Sequence, residues 1–182
     1  EEGYRYVDPV DEPLLIAGVG TYTLEIMEDL PDVDVIIVPI GGGSGASGAC
    51  IVAKSINPDV KVIGVQSEEA PAVYLSWKEG EVIQAPMRSH AEGLATGSGY
   101  QTTLDILTEN LDDFVLVSDD EMDRAVILHL ENTHNLTEHA GAASLAGALK
   151  IKDELAGKKV VLIMSGGNVS IQQLKEALEK HA

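Results

Sequence analysis

Cysteine is almost missing from this 182-residue chain: Cys50 is the single one, so no disulfide can form within it. It lies among Ala and Ile in a run that reads as a helix, with nothing nearby to lower its pKa. Cys50 is therefore expected as a buried structural thiol and not as a nucleophile. A reducing cytoplasm fits such usage. Aromatic residues make up only 4% of the chain, which leaves an aliphatic core of Val, Ile, Leu and Ala. Positive charge is scarce as well. The 12 Lys and Arg stand against 30 Asp and Glu, a formal net charge of −18. That argues against nucleic acid and against an anionic membrane surface as partners. Solubility is the plain account of the acidity, with adaptation to high salt a weaker one. No apolar run reaches spanning length, and there is no signal-peptide pattern. Metal-ligand spacing is not evident either. His129 and His134 are at i, i+5 on an expected helix, off a common face, and zinc is unsupported. No Ser-His-Asp arrangement can be argued from spacing.

What is present has a clear rhythm. The length suits one compact domain, expected over 1–182. After an irregular lead-in to Pro13, a helix is expected from about Gly18 to Leu30, before Pro31. Val33 to Ile40 is nearly all β-branched and apolar, as in a strand buried on both faces. A glycine loop follows, then a helix from Ala46 to Ile56 closed by Asn57-Pro58. Val60 to Gln66 reads as a second strand and Ala70 to Glu79 as a helix ending at Gly80. Val82 to Gly99 reads as loop with short structure, and Gln101 to Glu109 as helix. Phe114 to Ser118 is a third strand. Ser118 and Glu121 form a capping box for a helix reaching about His134. A helix over Glu138 to Leu155, a strand over Lys159 to Met164 and a terminal helix over Ile171 to His181 complete the pattern. Strands alternating with helices predict an α/β domain with a mostly parallel sheet and flanking helices. Two glycine clusters, GGGSGASG and SGGN, fall at the carboxyl ends of strands. In such sheets that rim is where ligands bind.

GGGSGASG, Gly41 to Gly48, has five glycines in eight residues between a buried strand and a helix. Successive glycines let backbone N–H groups converge on an anion, and the helix adds its positive dipole end. A flexible turn is the plain alternative. Gly43 to Gly48 also satisfies GxGxxG, with the acidic pair Glu68-Glu69 where a ribose-binding residue would be wanted, so a dinucleotide stays open. Walker A is excluded, because no Gly-Lys-Ser/Thr follows. In SGGN, Ser165 can present its hydroxyl into a pocket; a tight turn with a helix cap is the alternative. Thr137 or Glu138 could cap the helix that follows them. His139 beside them reads as exposed. His90 and Glu92 lie in the loop segment Ser89 to Gly93, where His90 could act as an acid or base but more often would not.

Taken together, these pieces resemble the fold-type II pyridoxal-phosphate enzymes, specifically the threonine dehydratase and serine racemase group. YVDPVDEPLLIAGVGTYTLEI is similar to the stretch that precedes the cofactor loop in that group, at Asp11, Pro13, Ala17, Gly18, Gly20, Thr21 and Glu25. PDVDVIIVPIGGGSGASG resembles its phosphate strand and loop. HAEGLA resembles its Ala-Asp-Gly segment, with Glu92 in place of Asp. LDDFVLVSDDEM, EHAGAASLAGAL and VLIMSGGN follow in the same order. The resemblance implies the tryptophan synthase β-like fold and pyridoxal 5′-phosphate as cofactor. It implies cofactor-phosphate donors at Gly41, Gly42, Gly43, Ser44 and Gly45, and a hydroxyl to the pyridine nitrogen from Ser165. Gly93 and Glu138 would line the ring and the substrate side. Ser44 stands where the family usually has a fourth glycine, and His139 where it usually has proline. Several relatives hold a divalent cation with a Glu and an Asp at positions that are Gln66 and Ala72 here, so no such metal is expected.

The resemblance also implies a lysine joined to the cofactor as a Schiff base, in an S-x-K-x-R-G setting, and an upstream Ser-Ser-Gly-Asn-His loop for the substrate carboxylate. Neither pattern occurs in this sequence. All nine lysines, Lys54, Lys61, Lys78, Lys150, Lys152, Lys158, Lys159, Lys175 and Lys180, read as surface residues. The expectation is therefore the C-terminal part of a threonine/serine dehydratase-like enzyme of the unregulated type, inactive without an N-terminal half or companion chain. The whole would eliminate the β-hydroxyl of L-threonine or L-serine to give a 2-oxo acid and ammonia, as a cytoplasmic homo-oligomer. The alternatives are a serine racemase-like enzyme part and a non-catalytic phosphate- or dinucleotide-binding module.

Overall fold

A computed structural model describes residues 3–181. Two short helices open it, α1 (Pro13–Val19) and α2 (Thr21–Asp29), where the sequence predicts one helix from Gly18. The physical reason is Pro13. It occupies the first helical turn, where its missing N–H costs nothing, and the Glu12 side chain accepts from the Leu14 N–H at 3.2 Å. A proline that reads as the end of a lead-in is thus a helix start.

The sheet holds β1 (Val35–Pro39), β2 (Lys61–Ser67), β3 (Asp113–Val117) and β4 (Val160–Leu162) in the order β3-β2-β1-β4, all pairs parallel. The expected parallel α/β architecture is present. The two central strands are covered on both faces, which is why they lack polar alternation. Ile36 and Val38 of β1 point into one apolar cluster with Ala46, Ala49, Cys50 and Leu107. Val35 and Ile37 point into another with Val65, Met122, Ala142 and Ala143. The first face carries α2, α3 (Ser44–Ile56), α4 (Ala72–Glu79) and α5 (Gln101–Asn110). The second carries α6 (Asp119–Thr133) and α7 (His139–Lys150), with α8 (Ile171–His181) packed on α6. Cys50 is fully buried as expected, and burial pushes its thiol up to about 12.

The predicted capping box is formed: Glu121 N–H donates to Ser118 Oγ at 3.1 Å, and Ser118 N–H to the Glu121 carboxylate at 2.7 Å. Several elements are shorter than expected, β1 among them, with five residues where Val33 to Ile40 is expected. The helix begun at His139 stops at Lys150, and the chain turns through to Gly157, which has φ +79°. The strand at Val160 has three residues, against the six expected from Lys159 to Met164, and its register with β1 ends at Leu162. No helix is long and apolar enough to cross a membrane among the described residues.

Candidate functional site

β1 and β4 are parallel neighbours, so the glycine clusters that follow them open on the same rim. After Ile40, buried against the sheet, Gly41, Gly42 and Gly43 make the turn and α3 begins at Ser44, inside the glycine run, where the sequence predicts Ala46. Gly43 has φ +103°, in the left-handed region that a side chain resists. A Cβ on Gly41 would strike the Gly93 carbonyl oxygen, so this position brings the loop and the Ser89–Gly93 segment into direct contact.

The decisive property of the loop is where its two kinds of backbone group point. Its carbonyls are tied back into the protein. Gln66 Nε2 donates to Gly41 O at 3.4 Å, Thr103 Oγ1 to Gly42 O at 2.9 Å, Ser47 N–H to Gly43 O at 2.8 Å and the Tyr22 hydroxyl to Gly45 O at 2.9 Å. Burial pushes the Tyr22 phenol up to about 12, so it is a neutral donor. The N–H groups from Gly41 to Ala46 have no acceptor among the described residues. They form a fan of donors at the first turn of a 13-residue helix, which is the arrangement an anion requires.

The second cluster is held differently. Gly166 O accepts from Thr137 Oγ1 at 2.9 Å and from Glu138 N–H at 3.1 Å, which fastens SGGN to the start of α7. Ser165 is exposed, and its hydroxyl has no partner among the described residues. It does not cap a helix. That task falls to Ser170, whose Oγ accepts from Gln173 N–H at 3.1 Å while Gln173 Oε1 accepts from Ser170 N–H at 3.0 Å. Ser165 and Gly45 line one cavity of about 710 Å³, together with Tyr22, Glu25, Pro39 and Met164. Glu138 is half-buried at the N-cap of α7 but makes no side-chain cap bond, so the simple capping role does not describe it. Its Oε1 lies 3.9 Å from the Cβ position of Gly93, and it packs against Gly166. Gly41, Gly42, Gly43, Ser44, Gly45, Gly93, Glu138 and Ser165 thus stand along one rim.

These groups fit pyridoxal phosphate: a backbone cradle for the phosphate, an unpaired hydroxyl across the cavity and a carboxylate on the flank. None of the cavity residues is a lysine. Lys54 instead reaches Asp112 at 2.7 Å and Val60 O at 2.8 Å, tying α3 to the sheet, and is less exposed than a surface role implies. Lys150 pairs with Glu121, Lys159 with Asp32, and Lys180 with Asp120 and Asp123. Gln66 is a fully buried residue of β2, and its Oε1 accepts from Tyr74 N–H at 2.9 Å. The amide there serves the loop and α4.

Sequence reasoning missed the groups behind the loop, Tyr22, Gln66 and Thr103. Thr103 is 61 residues from Gly42, and no spacing rule links them. The reading of His139 as exposed is also corrected. It is 3% exposed and meets Asp123 and His90, because the first turn of α7 faces α6 and the Ser89–Gly93 segment.

Comparison with known proteins gives the family and the cofactor class. The family described as "Pyridoxal-phosphate dependent enzyme" matches residues 1–166. The chain is 38% identical over 179 residues to an L-threonine ammonia-lyase of Thermotoga maritima, covering 98% of this chain and 44% of that protein. It is 39% identical to a serine racemase of Dictyostelium discoideum, covering 96% of this chain and 55% of the other. Among solved structures, the processed form of threonine deaminase isoform 2 from Solanum lycopersicum superimposes with a TM-score of 0.93 at 30% identity, over 97% of this chain and 52% of that one. The chain spans about half the length of the curated relatives it matches.

Proposed function

The chain belongs to the pyridoxal-phosphate dependent enzymes, and on that premise we propose that it forms the cofactor-binding part of an ammonia-lyase acting on L-threonine or L-serine. The products would be a 2-oxo acid and ammonia. Pyridoxal phosphate, when bound, supplies an electron sink that lets an amino acid lose its α-proton and then its β-hydroxyl. The residues of this chain do the rest of the holding. The N–H groups of Gly41 to Gly45 bind the phosphate, with the α3 dipole behind them and the Ser44 hydroxyl as an added donor. Ser165 offers a neutral hydroxyl to the pyridine nitrogen. Unlike a carboxylate, it does not force a proton onto that nitrogen, which moderates the sink and suits elimination. Glu138 and Gly93 bound the ring and substrate side, where the carboxylate can hold a proton or orient a hydroxyl.

The observation that carries this reading is the fan of free N–H groups from Gly41 to Ala46, in which Gly45 lines the cavity that also contains Ser165. The reactive amine would come from outside these 182 residues, since the cavity is lined by no lysine. The chain alone should therefore bind pyridoxal phosphate without an activity of its own. We place the assembled enzyme in the cytoplasm as a homo-oligomer, and the free buried thiol of Cys50 supports a reducing compartment.

The test is titration of the chain with pyridoxal phosphate, followed by borohydride and peptide mapping. The expected result is saturable binding, competed by inorganic phosphate, with no reduced adduct at a single lysine. A chain supplying the missing amine should then restore 2-oxo acid formation from L-threonine. A borohydride-fixed lysine in this chain would overturn the claim about the amine. Tight binding of NAD without pyridoxal phosphate would overturn the whole reading in favour of a dinucleotide module, whose strand order is compatible with β3-β2-β1-β4. The similarity to a serine racemase favours one second reading, and D-serine formation in the same restored assay distinguishes it.

A further inference from the structure

Behind the rim, on the side of α6 and α8, lies a cluster that the proposed chemistry does not use. His90 Nε2 is 3.0 Å from Asp123 Oδ1, and His139 Nε2 is 3.1 Å from the same oxygen. The three donor atoms all lie within 4.8 Å of one another. Three sequence segments meet here: the Ser89–Gly93 loop, the second turn of α6 and the first turn of α7. We propose that His90, Asp123 and His139 bind one divalent transition-metal ion, of which zinc is the simplest example.

Ligands at 2.0–2.1 Å from a tetrahedral ion sit about 3.3 Å from each other, close to the two imidazole–carboxylate separations seen here. Two of the three side chains are rigidly placed, since His139 is 3% and Asp123 5% exposed. His90 is the accessible one, with its side chain 42% exposed, beside a cavity of about 430 Å³ lined also by Gln173, Glu176 and Glu179. An ion can therefore enter, and a fourth position stays open to water.

The surroundings resemble those that orient metal ligands. The far nitrogen of His90, Nδ1, lies 3.3 Å from Asp119 Oδ2. Asp119 is itself fixed by Ser89 Oγ at 2.6 Å, Ser67 Oγ at 3.1 Å and the His90 N–H at 3.0 Å. A carboxylate behind a histidine sets the ring and raises its basicity toward a metal. Asp123 uses its second oxygen to accept from Lys180 at 2.9 Å, so its free oxygen is aimed at the two rings. The donor set, two imidazoles and one carboxylate, suits zinc and its neighbours better than calcium or magnesium, which want oxygen. Lys180 works in the same direction, because it offsets the carboxylate charge on which a hard cation would depend. This site is separate from the oxygen cage implied at Gln66 and Ala72, and it does not rest on the proposed reaction. Its ion would fasten the loop bearing Gly93 to the helix that starts beside Glu138.

Isothermal titration of the 182-residue chain with zinc chloride, after chelator treatment, tests the assignment, with cobalt(II) absorption as a second readout. The expected result is one equivalent bound, unaffected by millimolar magnesium, with affinity at least tenfold weaker in His90→Ala and in Asp123→Asn. His181→Ala should bind like the parent, although His181, Asp120 and Asp123 make a second candidate group. Asp123→Asn also loosens α8, so the exposed His90→Ala is the deciding variant, checked for folding by circular dichroism. No stoichiometric binding, parent-like binding in His90→Ala, or a loss confined to His181→Ala would each overturn the proposal.

Discussion

The two glycine clusters look alike in sequence and work in opposite ways. Both follow strands that are parallel neighbours, and both open on one rim. In the first, after β1, the side chains are nearly absent and the backbone presents itself: carbonyls anchored inward, N–H groups free. In the second, after β4, the backbone is anchored at Gly166 O, and what faces the cavity is the side chain of Ser165. The strands differ accordingly. β1 is buried along four of its five residues, whereas β4 is a three-residue edge strand, half-buried throughout. A backbone cradle needs a rigid base; a single hydroxyl needs only a fixed point of attachment.

The largest effect should come from breaking the cradle. Gly41→Val places a branched side chain against the Gly93 carbonyl and should lower stability by about 1–3 kcal/mol, as overpacking does. Pyridoxal-phosphate affinity should fall by two orders of magnitude or more by fluorescence titration, and a near-normal affinity would refute the cradle. A matched pair comes next. Thr103→Val and Thr137→Val each delete one buried hydroxyl that serves one cluster, each costing about 1 kcal/mol in chemical denaturation. Thr103→Val should weaken inorganic phosphate binding several-fold and Thr137→Val should not. Equal effects would erase the distinction between the clusters.

Acid tests the face of α6 and α7, to which SGGN is fastened through Gly166 O. Burial holds the His139 and His129 imidazoles below their usual value. In the His139 case the nearby His90 ring adds to this, while Asp123 and Asp119 oppose it. A histidine with a lowered folded pKa leaves stability intact above the unfolded value of about 6.5, and stability falls as the pH drops below it, because the unfolded chain takes up the proton first. With chelator present, the thermal midpoint should therefore fall between pH 7.5 and 5.5, and the drop should shrink in His129→Gln. An unchanged midpoint would show that neither ring feels its burial. The smallest effect belongs to Ser165→Ala. Loss of one exposed hydroxyl should weaken pyridoxal phosphate by less than about tenfold and leave the unfolding midpoint in place. A collapse of stability would mean that Ser165 belongs to the scaffold.

Much of this was legible in order along the chain. The apolar runs at Val33 to Ile40 and Val60 to Gln66, the capping box at Ser118 and Glu121 and the terminal helix from Ile171 to His181 are local patterns, and the structure forms these elements there, with β1 at Val35–Pro39 and β2 at Lys61–Ser67. The rim was legible because parallel strands put their carboxyl ends together. What escaped depended on distance in sequence. Pro13 reads as an ending until Glu12 is seen to cap the helix it starts. Gln66 reads as a lost metal ligand until its buried amide is found on the Gly41 carbonyl. His90 and His139 are each unremarkable alone; Asp123 brings them together. Such meetings have no period, so no pattern in the sequence announces them.

The anchored carbonyls of Gly41, Gly42, Gly43 and Gly45 have one more consequence, for timing. A glycine-rich segment has the most conformational freedom to lose, and here that loss accompanies folding of the chain itself. Capture of a phosphate then requires no ordering of the loop. Association should run at the speed of encounter, with the lifetime of the complex, and not its rate of formation, setting the affinity.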